Sequence, residues 1–454
     1  MKEYITALQS MNMDQAGRKR AEEQTIASGI TVNDGPVAFS CVPLMVTEED
    51  RNSFDQVIVG IQTILSKMTE RYIADPSYRK IFGFSKEMEE LICLPCDYPC
   101  IIPFGRYDLF YDFISGTYGF CEINTDGSGG MSWNNRITEA VLQNFGDQKY
   151  LKEKGITLWD AETPFAEGII EIWKSSPQAY VNGSLKEADL IPDPLIAIVD
   201  FKEEAVMTDF QGIIDGLIAK GVRARFTDMR DLEFDGAQLR DRTDGAVIHG
   251  IYRRAVTSVM LERLEECRAL IDAVRSEKVV LMGHFRTSLA HSKKVFAAMY
   301  RKETREFLAK EEIAYIHAHV PATYILREGT LSEEDLNRIR LEKDSWVLKP
   351  EEGFASMDVT CGMDVEPEEW KRLLEEALKK PFILQQFCER YTVPVVRGDT
   401  GELDEYPLML GIFQTGGHAA ACYSRAGQAG VIDFSHGCVC VPTAVIKSCD
   451  EVQE

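Results

Sequence analysis

Residues 104–113 read "FGRYDLFYDF" and residues 120–130 read "FCEINTDGSGG". Both stretches run from apolar, strand-like sequence into carboxylates, at positions where a strand would normally carry Val or Ile. The segment "ISGT" (114–117) between them contains a Ser-Gly turn signal. Two apolar runs joined by such a turn predict a pair of strands related as a hairpin.

Four oxygen-bearing side chains lie close together in this predicted hairpin: Asp108, Glu122, Asn124 and Asp126. Residues two apart on a strand point to the same face, so Glu122 and Asn124 project together, and Asp108 lies beside them if the strands pair. Oxygen donors without thiol or imidazole suit Mg²⁺ or Mn²⁺ and not zinc. A dication would neutralise acids whose pKa values burial would otherwise raise. The alternative is a set of ordinary carboxylates at a hairpin end.

Size and charge restrict the class of protein. The chain has 454 residues, 45% of them apolar, which predicts two or three structural units. Its net charge of −23 argues against nucleic acid or an anionic membrane as a partner and is compatible with divalent cations or an amine substrate. The N-terminus has no apolar signal region, and no apolar run approaches the roughly 20 residues of a membrane span, so we expect a cytoplasmic protein.

The middle of the chain alternates apolar runs with helical patterns. This alternation predicts βαβ units and a parallel sheet. No G-x-G-x-x-G follows a strand, so the sequence does not support a dinucleotide site. The segments that carry the prediction are the strands "LIAIVDF" (195–201), "VRARFTD" (222–228), "GAVIHGIYRR" (245–254) and "KVVLMG" (278–283), with helices over 205–220 and about 256–275.

The last third predicts an antiparallel α+β unit. "WVLKPEEG" (346–353) is an apolar strand that ends in Lys349, and "FILQQF" (382–387) is a second strand. Two further strands, 406–415 and 418–427, meet at a Gly-Gly turn. Lys349 could reach a phosphate while the small-residue loop after it offers backbone N–H groups. The alternative is a strand-end lysine that extends to solvent.

Two arginines stand near the acidic strands. Arg106 lies two residues before Asp108, on the same strand face, and Arg425 ends the last long strand. A guanidinium could neutralise a carboxylate or a transferring phosphoryl group, and the alternative for each is a surface ion pair. Cysteines also cluster in "LICLPCDYPC" (91–100), but no fourth soft ligand lies nearby in sequence, so we expect free thiols at Cys93, Cys96 and Cys100.

Taken in order, these motifs resemble a known family. "GRYDLFYDF…FCEINTDG" resembles the R-x-D…E-x-N-x-D motif of circularly permuted ATP-grasp enzymes, the group that includes glutathionylspermidine synthetases. "IYRRAV", "SLAHSKKVFAAM", "WVLKPEEGFAS", "FILQQF" and "GIFQTGGHAAACYSRAG" follow in the family's order. The resemblance covers about residues 100–445. It departs from the family in the single glycine of "KPEEGFAS", so the geometry of the phosphate cover is not carried over. It also departs in "DGSGG", so the substrate of the synthetases is not carried over.

The resemblance implies a fold class and a set of roles. The fold would be α+β, a circularly permuted ATP-grasp fold with an inserted Rossmann-like α/β domain having a parallel sheet; the expected boundaries are 1–150, 151–290 and 291–454. Two Mg²⁺ ions, or Mn²⁺, would bind Asp108, Glu122 and Asn124. Arg106 and Arg425 would be catalytic. The ATP-binding residues would be Lys294 (with Lys293 as the alternative), Lys349, Gly353, Ala355, Ser356, Gln385, Gln386, Phe387 and Glu389.

The resemblance implies an ATP-dependent carboxylate–amine ligase that works through an acyl phosphate and releases ADP and phosphate. Its partners would be a small carboxylate, an amino acid or peptide, and an amine; a homodimer is compatible with the sequence. Two rival functions stay open at this point. One is a phosphotransferase acting on a hydroxyl acceptor, and the other is a non-catalytic ATP-binding scaffold.

Overall fold

The structure is a computed structural model that describes residues 2–32, 35–353 and 357–446. The candidate residues Ala355 and Ser356 lie outside the described residues. The described strands are β1 (Thr31–Val32), β2 (Gly35–Pro36), β3 (Leu44–Val46), β4 (Phe104–Tyr111), β5 (Tyr118–Asn124), β6 (Ile156–Leu158), β7 (Leu195–Asp200), β8 (Arg223–Asp228), β9 (Leu232–Phe234), β10 (Leu239–Asp241), β11 (Gly250–Arg253), β12 (Val280–Met282), β13 (Thr323–Ile325), β14 (Trp346–Pro350), β15 (Thr360–Cys361), β16 (Phe382–Gln386), β17 (Thr392–Val396), β18 (Leu403–Thr415), β19 (His418–Ala426), β20 (Val439–Val441) and β21 (Thr443–Ile446).

The α-helices within the same residues are distributed along the whole chain. They are α1 (Lys2–Ser10), α2 (Gln15–Ala27), α3 (Glu48–Ala74), α4 (Pro76–Arg79), α5 (Lys86–Ile92), α6 (Met131–Asn144), α7 (Gln148–Glu153), α8 (Glu162–Lys174), α9 (Met207–Ala219), α10 (Thr257–Glu262), α11 (Arg268–Arg275), α12 (Ser288–His291), α13 (Lys294–Met299), α14 (Lys302–Arg305), α15 (Lys310–His319), α16 (Glu333–Leu341) and α17 (Pro367–Ala377). The mixed α+β class expected from the sequence is confirmed.

The predicted hairpin is confirmed. β4 and β5 pair in antiparallel fashion, with Arg106 opposite Asn124 and Asp108 opposite Glu122. The register shifts by an irregularity directly after Asp108. Since Arg106 and Asp108 share one face of β4, the register brings all four side chains to the same face of the sheet.

This hairpin forms one edge of a six-stranded sheet. The strand order is β20-β19-β18-β4-β5, and β17 also pairs with β18. β18 and β19 form the expected hairpin around Gly416 and Gly417, whose φ angles of 59° and 93° are ones that glycine adopts without strain. Early and late parts of the chain thus share one sheet. The circular permutation and the three domain boundaries stay predictions.

The parallel sheet is confirmed in the middle of the chain. Its order is β12-β11-β7-β8, and all four strands run parallel. Every residue of β7 is buried, as its continuous apolar run predicts. The carboxyl ends of β7 and β11 therefore meet at the same edge, beside the loop that follows β5.

The long helix expected over about 256–275 is wrong. α10 ends before Arg263, where the backbone leaves the helical region (φ −128°, ψ 35°), and α11 begins at Arg268. The Arg263 guanidinium bonds to Glu203 at 2.7 Å and to Glu266 at 2.6 and 2.9 Å. These contacts across the fold stabilise a turn where the local pattern favours a helix.

The four-stranded antiparallel sheet, β13-β16-β14-β15, has two distinct faces. Trp346, Leu348 and Leu384 pack against buried residues of α16 and α17, among them Trp370. Alternation along β14 sends Val347 and Lys349 to the opposite face. That face is directed toward the six-stranded sheet, so the candidate phosphate-binding lysine points into the space between the two sheets.

The longest described helix, α3, has a buried apolar face. Val57, Ile61, Ile64, Leu65 and Met68, which recur at helical spacing, are all buried. A capping box starts the helix, since Thr47 and Asp50 exchange side-chain and backbone hydrogen bonds. Neither α3 nor another helix in the described residues is apolar over a length that would span a bilayer.

Candidate functional site

A cleft of about 740 Å³ lies between the six-stranded sheet and the four-stranded antiparallel sheet. Polar and charged side chains enter it from both sheets, and Val347, Met409 and Ile432 are among its apolar walls. The charged residues that line it are Glu122, Lys293, Lys349 and Arg425. A concave site with apolar walls and a few convergent polar groups is typical of a small-molecule site.

Lys349 is held rigidly at the base of this cleft. Its Nζ donates to the carbonyl oxygen of Cys121 at 2.9 Å and to Gln385 Oε1 at 2.7 Å. Burial alone would lower the pKa of Lys349, but the nearby thiols and the Glu122 carboxylate hold that pKa above its ordinary 10.5. Lys349 is thus a fixed cation in the cleft and not a lysine extended to solvent.

Lys293 is the second cation at the cleft. Its Nζ lies 2.8 Å from Glu122 Oε1 and donates to the carbonyl oxygen of Gly353 at 2.9 Å. Burial pushes the pKa of Glu122 upward, yet Lys293 and Lys349 outweigh burial and hold that pKa well below its usual 4.5. The contact with Gly353 also ties the lysine to the loop after β14.

The neighbouring Lys294 faces a different environment. Its Nζ lies 3.5 Å from Glu351 and 3.6 Å from Glu352, and 4.2 Å from the centre of the Phe84 ring. It does not line the cleft between the described residues of the two sheets. Of the two lysines that the sequence offered, Lys293 therefore has the geometry of a cleft residue.

Arg106 and Arg425 converge on the buried carboxylate of Asp108. Arg106 makes a forked pair with it, Nε to Oδ1 at 2.7 Å and Nη2 to Oδ2 at 2.9 Å, and Arg425 Nη2 approaches Oδ2 at 3.5 Å. Asn124 Nδ2 donates to the same Oδ2 at 3.2 Å. Both guanidinium groups lie over the ring of Tyr423. The network is a buried charged centre in the floor of the cleft.

The donor chemistry of these residues fits a hard dication. Asp108 and Glu122 are carboxylates opposite each other in the sheet, and Asn124 Oδ1 adds an amide oxygen, the ligand types that Mg²⁺ prefers. In this structure the two carboxylates are paired with Arg106 and Lys293. Within the described residues, no group of three or more His, Cys, Asp and Glu side chains is arranged to hold a metal ion.

The residues expected to hold adenine lie on and after β16. Gln385 is buried against Lys349, and Gln386 and Phe387 line the cleft. The Phe387 N–H donates to the Ser345 carbonyl oxygen at 2.7 Å, which fixes this connection to the four-stranded sheet. Glu389 is exposed and does not line the cleft in the described part of the structure.

A second cavity, of about 840 Å³, lies on the other side of the Arg106–Asp108 pair. Arg106 and Asn124 line it, together with the "DGSGG" loop and the carboxyl edge of the parallel sheet, which contributes Asp200 and Arg254. Carboxyl ends of parallel strands commonly form ligand sites. The sequence reasoning missed this cavity, although the polar residues that end the predicted strands were a signal for it.

The "DGSGG" loop is attached to the parallel sheet through Asp126. The Asp126 carboxylate pairs with Arg253, accepts the Thr257 N–H at 2.8 Å and receives the Ser288 hydroxyl at 3.3 Å. Arg253 lowers the pKa of Asp126 despite complete burial. Asp126, the last of the four oxygen-bearing residues of the motif, therefore has a structural role.

The cysteine-rich segment is held by an arginine. Arg286 donates to the carbonyl oxygens of Tyr98, Cys100 and Ile101 at 3.1, 2.5 and 3.2 Å. Burial raises the pKa of the Cys93, Cys96 and Cys100 thiols, which are free. These thiols lie within a well-anchored loop.

Comparison with solved structures relates this architecture to known proteins. A glutathione synthetase-like effector from Globodera pallida superimposes with a TM-score of 0.55 at 10% identity, over 95% of this chain and 96% of that one. A putative gamma-glutamylcysteine synthetase from Methylobacillus flagellatus matches with a TM-score of 0.39 at 12% identity, over 86% and 85% of the two chains. An ATP-grasp ligase solved with a minimal precursor, Mg and ADP matches with a TM-score of 0.30 at 16% identity, over 54% and 87%.

The second and third similarities have TM-scores below 0.5 and do not define the fold, which is defined by the first. No protein-family model matches the chain, and no curated protein matches it in sequence. At 10% identity the similarity establishes the architecture alone. The resemblance to ATP-grasp enzymes of the glutathionylspermidine synthetase group is thus confirmed at the level of the fold, without the circular permutation: the chain has the fold of a glutathione synthetase-like protein.

Proposed function

We propose that this protein is an ATP-dependent carboxylate–amine ligase that forms an amide through an acyl phosphate and releases ADP and phosphate. The observation that carries the proposal is the position of the Arg106–Asp108–Arg425 network. Arg425 lines the cleft that contains Lys349, Arg106 lines the second cavity, and both contact Asp108. A ligase needs two substrates to meet at a charged centre of this kind.

The cleft is suited to a triphosphate nucleotide. Lys349 and Lys293 place two ammonium groups near Glu122, where they would contact phosphate oxygens. Gln386 and Phe387 lie along the same cleft and would hold the adenine. Gly353, which lines the cleft and binds Lys293 through its carbonyl oxygen, begins the small-residue loop that would cover the phosphates.

Asp108, Glu122 and Asn124 are the residues that would hold Mg²⁺, or Mn²⁺ in its place. When bound, the two ions would neutralise negative charge on the phosphate oxygens. The oxygen-only donor set supports this assignment.

The chemistry requires two displacements. In the first, a carboxylate oxygen of one substrate bonds to the γ-phosphorus as the bond to the bridging oxygen breaks, leaving ADP. In the second, the amine nitrogen bonds to the acyl carbon, phosphate leaves with the C–O electron pair, and the nitrogen loses a proton. Arg106 would orient the carboxylate and Arg425 would stabilise the negative charge that develops on the transferring group. Apolar walls limit hydrolysis of the acyl phosphate.

The test is a screen of amino acids, short peptides and amines for ADP release, with mass spectrometry of the products. We expect an amide from at least one pair of substrates, and a loss of more than about tenfold in rate for Glu122→Gln and Lys349→Ala. Lys371→Ala, which removes an exposed lysine on α17, is the matched control. A phosphorylated hydroxyl compound without amide, or nucleotide binding with no ADP from any pair, would refute the ligase.

A further inference from the structure

The proposed ligation takes a proton from the attacking nitrogen, and a histidine lies where it can accept that proton. His291 ends α12 and lines the second cavity. Its side chain is half-buried, and its Nδ1 is buried without a hydrogen-bond partner among the described residues. Its Nε2 is not sealed in this way and forms no hydrogen bond with those residues either. Nε2 is therefore the ring nitrogen that is free to exchange a proton with a ligand in the cavity.

The segment that carries His291 runs from the second cavity to the cleft. At its start, the Ser288 hydroxyl donates to Asp126 of the "DGSGG" loop at 3.3 Å. Two residues after His291, Lys293 lines the cleft and lies 2.8 Å from Glu122. The segment thus joins the loop of the second cavity to the charged groups of the cleft. In the proposed reaction the acyl group and the amine must meet between these two places.

Two carboxylates act on the charge of the imidazole ring. Burial raises the pKa of Glu122, and Lys293 and, more weakly, His291 are among the groups that lower it. Burial also opposes the ionised form of Asp126, and Arg253 and then His291 lower the pKa of that acid. The ring is therefore close enough to both carboxylates for their charges to affect it. The same charges stabilise the imidazolium that forms when Nε2 accepts a proton.

Two other carboxylates in the second cavity are the rival proton acceptors. Asp200 ends β7 and Glu204 follows it, and both line the cavity. Burial raises the pKa of Asp200 to about 6, and the charge of Glu204 acts in the same direction. The main charges that act on Glu122 include His291 and neither of these two acids, so the electrostatics place the imidazole nearer to the cleft. An imidazole also changes its charge between about pH 5 and 8, which suits a base at neutral pH.

We propose that His291 is the general base of the second displacement, in which its Nε2 accepts the proton of the attacking amine. This inference rests on the proposed function, because it assigns one proton of that reaction. The amine nitrogen bonds to the acyl carbon and gives a proton to Nε2, while phosphate leaves with the C–O electron pair. The imidazolium then passes the proton to the departing phosphate, which regenerates the neutral ring. In the described part of the chain, no other histidine lines the cleft or the second cavity.

Hydroxylamine separates the two displacements in the test. It attacks acyl phosphates without a base, so hydroxamate formation from ATP and a carboxylate reports the first displacement alone. The carboxylates are the amino acids and short peptides of the substrate screen. We expect His291→Gln to form the amide at least about a hundredfold more slowly than the wild type. Its rate of hydroxamate formation should stay close to that of the wild type, which also shows that the variant is folded.

Two further variants separate a proton acceptor from a side chain that only fills space. Free imidazole should restore amide formation in His291→Ala, whose shortened side chain leaves room for it, and should not accelerate the wild type. His317→Ala, which removes an exposed histidine on α15, is the matched control and should keep the wild-type rate of amide formation. A selective loss of amide formation in Asp200→Asn but not in His291→Gln would assign the proton to Asp200 and overturn the proposal.

The outcome separates this inference from the proposed function. Hydroxamate from the wild type, together with an unchanged rate of amide formation in His291→Gln, overturns the inference and leaves the ligase in place. Equal losses of hydroxamate and amide in His291→Gln also overturn it, because the residue would then serve the first displacement or the fold. If no carboxylate gives hydroxamate with the wild type and ATP, the ligase itself is refuted and the base has no reaction to serve.

Discussion

Replacing Lys293 by methionine tests the cleft most directly, because the chain supplies its own control at the next position. Lys293 contacts Glu122 and Gly353 across the cleft, whereas Lys294 pairs with Glu351 and Glu352. Lys293→Met and its control Lys294→Met each remove one positive charge, at neighbouring positions. If only the overall charge mattered, the two variants would lose ATP affinity equally, whereas a role of position would weaken Lys293→Met alone.

The size of the effect follows from the contacts. A hydrogen bond from an ammonium group to a charged acceptor contributes about 1.5–3 kcal/mol, which corresponds to roughly 10- to 150-fold in affinity. Lys293 already pairs with Glu122, so part of this gain is offset when the lysine turns to a phosphate. We therefore expect Lys293→Met to weaken ATP binding by about tenfold to thirtyfold. Loss of the ammonium group should also raise the pKa of Glu122.

The assay is titration of ATP with Mg²⁺ at constant ionic strength, with the folded fraction of each variant measured by circular dichroism. Lys294→Met should keep its ATP affinity within about twofold, even though it loses stability from the unpaired glutamates. A loss of affinity in Lys294→Met that equals or exceeds the loss in Lys293→Met would refute the assignment of Lys293 to the cleft. In that case the assignment of Lys294 from the sequence would stand.

Three other changes test the surroundings of the second cavity, each by urea unfolding. Asp126→Asn removes one member of a buried ion pair and should cost about 3–5 kcal/mol, and a loss below about 1 kcal/mol would contradict the anchoring role. Burial raises the pKa of Asp200 from 3.8 to about 6, so the wild type loses stability as the pH rises through that window. Asp200→Asn should be more stable than the wild type by up to about 3 kcal/mol at pH 7.5 and equally stable near pH 4. A stability difference that does not change with pH would contradict the raised pKa of Asp200. Gly127→Ala places a Cβ 2.4 Å from the Arg254 carbonyl oxygen at a φ of 68° and should lower the free energy of unfolding by more than about 2 kcal/mol. The control Gly221→Ala, at a φ of 78° with no atom within 4 Å, should lower it by only about 1 kcal/mol. Equal losses in the two variants would disprove the clash at Gly127.

Local patterns were sufficient for most individual elements. The continuous apolar run of β7 predicts a buried parallel strand, and the Gly-Gly turn between β18 and β19 predicts their hairpin, because both signals depend on neighbouring residues. The failure at Arg263 has the opposite cause. Arg263 bonds there to Glu203, 60 residues away in sequence, and no periodicity in the helical segment contains that contact.

The same distinction applies to the candidate site. The sequence predicted that strand pairing would bring Asp108 beside Glu122 and Asn124, but it did not predict the register, which shifts directly after Asp108. The choice between Lys293 and Lys294 depends on which side of the chain faces the cleft just where α13 begins, and the sequence left it open. Asp200 and Arg254 come together only because β7 and β11 are neighbours in the parallel sheet, an arrangement that the motifs do not specify.

The electrostatics of the cleft support an anionic ligand more strongly than the overall composition suggests. The chain has a net charge of −23, which would repel a nucleotide at long range. Yet among the described residues that line the cleft, Lys293, Lys349 and Arg425 face one carboxylate, Glu122, for a local charge of +2. The Debye length at physiological ionic strength is about 8 Å, so distant surface carboxylates are largely screened while the cleft cations, enclosed by apolar walls, are not. The described residues that line the cleft between the two sheets thus form a local site of positive charge in an acidic protein, and a charge of +2 favours an anionic ligand such as the nucleotide of the proposed function.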